Sequence, residues 1–240
     1  MTQLNQGIQV SNTPSVVNDA TADTAMLLLL AALRRAWIPQ RSLRQGFWDA
    51  NRPLGRDCRG MLLGILGMGG IGLAVARRAA GFGFRLQYHN RSPARNSDID
   101  VLDLSPEQRP KFVSLEELFR ASDAISIHLP LYPETTGFIG YEEIKKMKDG
   151  VVIVNTARGS ILNEDALVEG LKSGKVWSAG LDVFENEPLV HEGLRQNENV
   201  VLFPHIGTAT IDTRHRMEKL MLDNVHSALK LGRLLTPVPQ

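Results

Sequence analysis

Three stretches of the chain, NTARGSILNEDAL, AGLDVFENEP and FPHIG, each set a polar residue just beyond an apolar run that reads as a strand. The residues so placed are Arg158, Asp182, Glu187 and His205. Open α/β sheets bind ligands outside the carboxyl ends of their strands, so these four are expected to converge there. Their types suit the transfer of a hydride to or from a carbinol carbon. That chemistry needs one group to exchange the hydroxyl proton and a cation to hold a carboxylate. Histidine suits the first task because it titrates near neutrality, and a neighbouring carboxylate favours the imidazolium, a part Glu187 can fill. Arginine suits the second through its bidentate fork. Taken singly, His205 and Arg158 read as readily as structural residues; the joint pattern carries the reading.

A glycine fingerprint precedes them. Gly67, Gly69 and Gly72 match G-x-G-x-x-G, following the apolar run MLLGIL and opening the helical pattern LAVARRAAG. In that context the first glycine permits a tight turn, the second lets a pyrophosphate approach the backbone, and the third lets helix pack on strand. Amides at the helix start, around Gly70 and Ile71, are expected to face the phosphates. About 20 residues further on, dinucleotide sites for NAD carry an acidic residue that bonds the ribose. Here the stretch reads His89-Asn90-Arg91-Ser92 with no carboxylate. Donors and positive charge suit the extra phosphate of NADP, with NAD as the alternative. The competing reading of Arg91 is a solvated charge at a strand end.

These residues need a scaffold. MLLGIL, FRLQYH, KFV, AISIHL, VVIVN, WSAGLDV and VVLFP read as seven strands, with helices in IGLAVARRAAG, LEELFRA, YEEIKKM and EDALVEGLKSG between them. Continuous apolar strands joined by helical crossovers predict a parallel sheet covered on both faces, the doubly wound α/β (Rossmann) architecture. Upstream, GIQV at Gly7 to Val10 reads as a short strand. A helix from Asn18 or Asp19 to Arg35 follows, apolar on nearly all sides and so expected between two layers or domains. A polar, Gly- and Pro-containing connector, RQGFWDANRPLGRDCRG, leads into the sheet. Ile211 to Leu231 reads as an amphipathic helix stopped by Gly232.

The composition narrows the partners. With 27 basic against 26 acidic residues, the formal charge of +1 gives no general attraction to nucleic acid or an anionic membrane. The longest apolar run, Ala25 to Leu33, is too short to span a bilayer. Cys58 is the single cysteine and reads as an inert thiol, and its lack of a disulfide partner within the chain points to a reducing, cytoplasmic setting. No His/Cys cluster has metal-ligand spacing, so no metal is expected. His191, His215 and His226 sit in no motif and read as surface residues. His128 and His89 read as structural neighbours of the cofactor site.

In order, LLGILGMGGIG, HLPLYPETTGFIG, MKDGVVIVNTARGSILNEDAL, GLDVFENEP and PHIGTAT resemble the signatures of the D-isomer-specific 2-hydroxyacid dehydrogenases, in particular the glyoxylate/hydroxypyruvate reductases. The resemblance runs from about Gly7 to the end. It implies an Arg158, Glu187, His205 catalytic set: arginine on the substrate carboxylate and carbonyl, glutamate supporting the histidine, histidine as acid/base. It also implies that Asp182 contacts the nicotinamide carboxamide and that Leu129, Pro130, Thr135, Thr156 and Ala157 line the cofactor. The expected reaction is NADPH-dependent reduction of a small 2-oxo acid, glyoxylate or hydroxypyruvate, to the D-2-hydroxy acid, by a homodimer. The aromatic pair at Gly46 to Trp48 is expected to pack. The family's substrate-binding domain is represented only by remnants, without its carboxylate-holding glycine loop. The implied division is 1–35 as remnant and interdomain helix, 36–206 as dinucleotide-binding domain and 207–240 as a returning helix. The other outcome this leaves open is an inactive dinucleotide-binding and oligomerising fragment.

Overall fold

The structure, a computed structural model, describes residues 8–48 and 53–238. Seven strands, β1 (Leu62–Leu66), β2 (Arg85–His89), β3 (Lys111–Phe112), β4 (Ala124–Ile127), β5 (Val151–Asn155), β6 (Val176–Leu181) and β7 (Val200–Leu202), form one sheet. Its order is β3-β2-β1-β4-β5-β6-β7, and every pairing is parallel. The helices are α1 (Asn18–Arg34), α2 (Trp37–Arg44), α3 (Gly70–Gly81), α4 (Asn96–Asp100), α5 (Leu115–Ala121), α6 (Tyr141–Lys146), α7 (Glu164–Ser173), α8 (Glu192–Arg195) and α9 (Ile211–Leu231). The doubly wound α/β expectation is met, and strand order reverses direction between β1 and β4. That reversal is the switch point at which such sheets open a ligand crevice.

Residue parity along the strands explains the two covered faces. Leu63, Ile65, Val152 and Val154 pack on one side with α1 and α3, while Ile125, Ile127, Val151 and Ile153 pack on the other with α5, α6 and α7. Alternate residues of a strand point to opposite faces, so an apolar run of four or five fills both. Small residues in β6 set how closely α1 approaches: a Cβ on Gly180 would lie 2.8 Å from Leu28 Cβ, and Ser178 Oγ donates to the Ala32 carbonyl at 3.0 Å. Leu28 itself is wholly enclosed, a burial that stabilises by about 2 kcal/mol.

The chain divides into two compact units, Ala22–Gly207 and Met1–Thr21 with Thr208–Gln240. Within the smaller unit, Thr210 caps α9 and Gly232 ends it in the left-handed conformation, φ 63°. Asn224 ties the tail down, accepting from the Leu235 and Thr236 amides. The strand expected at GIQV is not formed by Ile8–Val10; Gly7 lies outside the described residues. In its place a single bridge joins Ser11 to Pro237. The Thr236 amide, which would extend the pairing, donates instead to Asn224 Oδ1. Helix α9 has the expected bounds, and its Leu222, Val225 and Leu229 are exposed. Phe47 and Trp48 are 66% and 84% exposed and do not pack within the chain as expected. Helix α2, between the two elements expected there, is a further addition.

Candidate active site

The glycine fingerprint occupies the turn from β1 into α3. Gly67 has φ 102°, and a Cβ there would meet the His128 carbonyl carbon at 2.8 Å, so the turn is wedged against the end of β4. A Cβ on Gly72 would lie 2.2 Å from the Gly67 carbonyl oxygen, which fixes why helix and strand need glycine at their contact. Gly69 differs: a Cβ there meets nothing within 4 Å. Gly69 and Gly70 are exposed, Ile71 is half-buried, and no side chain caps α3. The helix therefore presents uncapped first-turn amides beneath open space, a fit for a pyrophosphate.

At the end of β2, the His89 carbonyl accepts from the Gly67 amide (3.0 Å) and Asn90 Oδ1 accepts from the Met68 amide (2.7 Å). Asn90 thus braces the fingerprint turn, a task that its sequence position alone did not reveal. Arg91 and Ser92 are exposed beside it, and Arg91 forms no ion pair among the described residues. Beyond β4, Leu129 is half-buried and Pro130 exposed. Thr135 Oγ1 donates to the Pro130 carbonyl (2.8 Å) and accepts from the Tyr132 amide (2.8 Å), which folds this loop back on itself. After β5, Thr156 and Ala157 are buried, and Thr156 Oγ1 has no protein partner. A buried hydroxyl left without a bond is unusual in a finished site and fits one that awaits a polar ligand.

His128 Nε2 bonds Ser126 Oγ at 2.8 Å, while its buried Nδ1 has no partner. Burial pushes its imidazole down from 6.5 to about 4. The folded value lies below the unfolded one, so between pH 6.5 and about 4 the unfolded chain binds the extra proton and stability falls as pH falls. The full contribution is about 3 kcal/mol. Denaturant titrations across this window are expected to show that slope in the native chain and a flatter one in His128→Gln. An unchanged slope in the variant would contradict the assignment.

The side chains expected to react come from three loops. Arg158 follows β5, where buried Asn155 shapes the turn: its Oδ1 accepts from the Ala157 amide and its Nδ2 donates to the Arg158 carbonyl, both at 3.0 Å. Arg158 Nη1 donates to the Ala157 carbonyl at 2.6 Å. The next residue locks this loop to the following one, because a Cβ on Gly159 would lie 1.8 Å from the Phe184 carbonyl carbon. Glu187, in the loop after β6, accepts from the Phe184 amide through Oε1 (3.0 Å) and bonds His205 Nδ1 through Oε2 (2.8 Å). Burial works to raise the Glu187 pKa. Hydrogen bonds from His205 and the Phe184 amide, with the positive charges of His205 and Arg158, outweigh it and hold the carboxyl below its ordinary range.

Asp182 anchors the loop after β7. Its oxygens separately accept the Ile206 (2.7 Å) and Gly207 (2.8 Å) amides, and burial pushes its carboxyl up despite them. Those two bonds place His205, which sits at φ 55° with a half-exposed ring. Arg158, Glu187 and His205 line one open depression of about 600 Å³, together with Leu131 and Leu189. A guanidinium, a carboxylate and an imidazole thus share one cleft, and the imidazole keeps Nε2 for exchange while Nδ1 is held.

Sequence reasoning missed three contributors. Glu164 and Glu185 exchange backbone bonds, and His191, expected on the surface, is instead partly enclosed: Nδ1 accepts from Gly193 N at the start of α8 and Nε2 meets Asp165 at 3.0 Å. Among the described residues, no group of three His, Cys, Asp or Glu could hold a metal.

A nucleotide turn at the switch point and an Arg, Glu, His cluster on the same sheet edge define a nicotinamide-dependent oxidoreductase. The sequence profile of the D-isomer specific 2-hydroxyacid dehydrogenase NAD binding domain matches residues 26–207, and the chain belongs to this family. It is 51% identical to 4-methyl-2-oxopentanoate reductase A of Aspergillus oryzae, over 98% of this chain and 69% of that protein. Its structure is similar to that of a glyoxylate reductase from Paecilomyes thermophila, with TM-score 0.92 and 50% identity, covering 98% of this chain and 70% of the other. It is similar too to an NADPH-dependent glyoxylate/hydroxypyruvate reductase from Sinorhizobium meliloti in complex with NADP and malonate, with TM-score 0.89 and 36% identity, covering 99% and 72%. The chain therefore spans about 70% of the length of these relatives. Among the described residues no helix is long and apolar enough to cross a membrane.

Proposed function

We propose that this chain reduces a small 2-oxo acid, glyoxylate or hydroxypyruvate, to the D-2-hydroxy acid with NADPH. The observation that carries the reading is the 2.8 Å bond between His205 Nδ1 and Glu187 Oε2 in the depression that Arg158 also lines. The bound nicotinamide supplies the hydride. Arg158 holds the substrate carboxylate and carbonyl through its fork. His205 gives the Nε2 proton to the carbonyl oxygen as it becomes a hydroxyl, and Glu187 stays ionised and supports the imidazolium. Asp182 still has lone pairs beyond its two amide bonds with which to accept from the carboxamide. Gly67, Gly69, Gly70, Ile71 and Gly72 cradle the pyrophosphate; Leu129, Pro130, Thr135, Thr156 and Ala157 flank the cofactor.

Preference for NADPH rests on the edge of β2, where exposed Arg91 and Ser92 stand in place of a ribose-binding carboxylate. NADPH is expected to raise the thermal midpoint more than NADH at equal concentration. An equal or larger shift with NADH would overturn that preference. In this reading, residues 36–206 form the dinucleotide-binding domain, 1–35 are the remnant of the substrate-binding domain with the interdomain helix, and 207–240 are the helix returning toward that domain; the compact unit Ala22–Gly207 takes in most of the interdomain helix. A cytoplasmic homodimer accords with the exposed apolar side chains of Leu43, Phe47, Trp48 and Leu54.

A second reading, a module that binds the dinucleotide without turnover, has on its side that the matching family model is of the NAD binding domain, residues 26–207. NADPH oxidation in the presence of glyoxylate separates the two. Turnover that is lost in His205→Ala supports the reductase, whereas stabilisation by NADPH with no oxidation supports the module.

A further inference from the structure

Glu164 lies outside the depression, at the first turn of α7, and is buried to 7% exposure. Such a site is unusual for a carboxylate. Its Oε1 accepts from the Glu185 amide at 2.9 Å, and Glu185 Oε1 returns the bond to the Glu164 amide at 2.7 Å. Each residue thereby satisfies the other's backbone donor, and the pair joins the amino end of α7 to the loop after β6. Glu185 stands two positions before Glu187 and lines the same depression. The far end of the loop is fixed to the same helix, where His191 bonds Asp165 at 3.0 Å. Behind it, Gly159 leaves the Phe184–Glu185 backbone no room to move toward the Arg158 turn.

We propose that Glu164 is a positioning residue for the acid–base pair: with Glu185 and His191 it clamps residues 184–191 onto the start of α7 and so sets where Glu187 meets His205. The assignment rests on the reading of Glu187 and His205 as that pair. Glu187 is held locally only by the Phe184 amide, within its own loop. Its position relative to His205, which Asp182 places from another strand, therefore depends on what anchors the loop to the scaffold. Glu164 provides one of those anchors through its carboxylate and a second through its own amide, and it touches neither reacting group.

The test compares Glu164→Ala and Glu164→Gln with the native chain. Long-range proton–nitrogen spectra of the imidazoles, with the His205 signals assigned through His205→Ala, report which ring nitrogen carries the proton. In the native chain Glu187 fixes the proton on Nδ1 of the neutral ring. In Glu164→Ala the spectrum is expected to move toward the tautomer mixture of a free imidazole, with kcat falling by roughly 10- to 100-fold and the KM for NADPH unchanged. Glutamine keeps a carbonyl oxygen toward the Glu185 amide, so Glu164→Gln is expected to lie nearer the native chain than Glu164→Ala does. A folded Glu164→Ala protein with the native His205 signature and native kcat would overturn the proposal. So would a Glu164→Gln variant as impaired as the alanine. Should the native chain show no turnover, the reductase reading fails. The imidazole spectrum still decides the clamp.

Discussion

Replacing His205 by alanine is expected to lower kcat for 2-oxo acid reduction by roughly 100- to 10,000-fold while leaving NADPH affinity unchanged. The imidazole contributes nothing to the fingerprint turn or the edge of β2, so cofactor binding has no reason to suffer. What the variant removes is the one nitrogen donor that faces the cleft with its partner nitrogen already fixed by Glu187. The backbone at residue 205 is in the left-handed region, where asparagine and histidine are favoured among residues with a Cβ. His205→Asn therefore serves as the companion variant. It keeps the local conformation and still loses the proton donor, so similar kinetics in the two variants would locate the effect in chemistry and not in the loop. The measurement is steady-state NADPH oxidation, with cofactor affinity from fluorescence titration.

Arg158→Gln is expected to have the next largest effect. Removing a guanidinium that holds a carboxylate in two points costs on the order of 2–4 kcal/mol, roughly 30- to 1,000-fold in kcat/KM. The geometry argues against compensation, because the Arg158 fork is oriented by its own bond to the Ala157 carbonyl and by the Asn155 turn beneath it. Lysine restores charge but not the planar fork, so Arg158→Lys should recover only part of the loss. Titration of the 2-oxo acid against both variants checks this, and a native kcat/KM in Arg158→Gln would exclude the arginine from substrate binding.

Much of this site could be read before any fold was known, for a physical reason. Gly67 and Gly72 act through backbone clearance, which is a property of residue type and spacing and so survives in the sequence. The strands were visible because a sheet covered on both faces is apolar at most positions of its central strands, and the turns after β5, β6 and β7 stood out as polar residues against those runs. Other features depend on partners distant in the chain. Asn90 serves Met68, 22 positions away, and Glu164 serves Glu185, 21 away. No local pattern distinguishes those side chains from ordinary polar residues at a strand end or helix start. The stretch at Ile8–Val10 misled for the same reason: its pattern suits a strand, but the Thr236 amide that would extend the pairing goes to Asn224, which no local pattern marks. Asn155 left a faint trace as an amide at the end of VVIVN, which a search for polar residues in buried strand ends would have found.

The central claim is that the Arg158, Glu187 and His205 cluster directs hydride to a 2-oxo acid bound beside the nicotinamide. The most direct measurement mixes the chain with hydroxypyruvate and NADPH deuterated at the transferable position, then reads the product by mass spectrometry and chiral chromatography. The expected product is D-glycerate carrying the deuterium on C2, the former carbonyl carbon, with formation suppressed in His205→Ala. Unlabelled or L-configured product, or equal formation by native chain and variant, would contradict it.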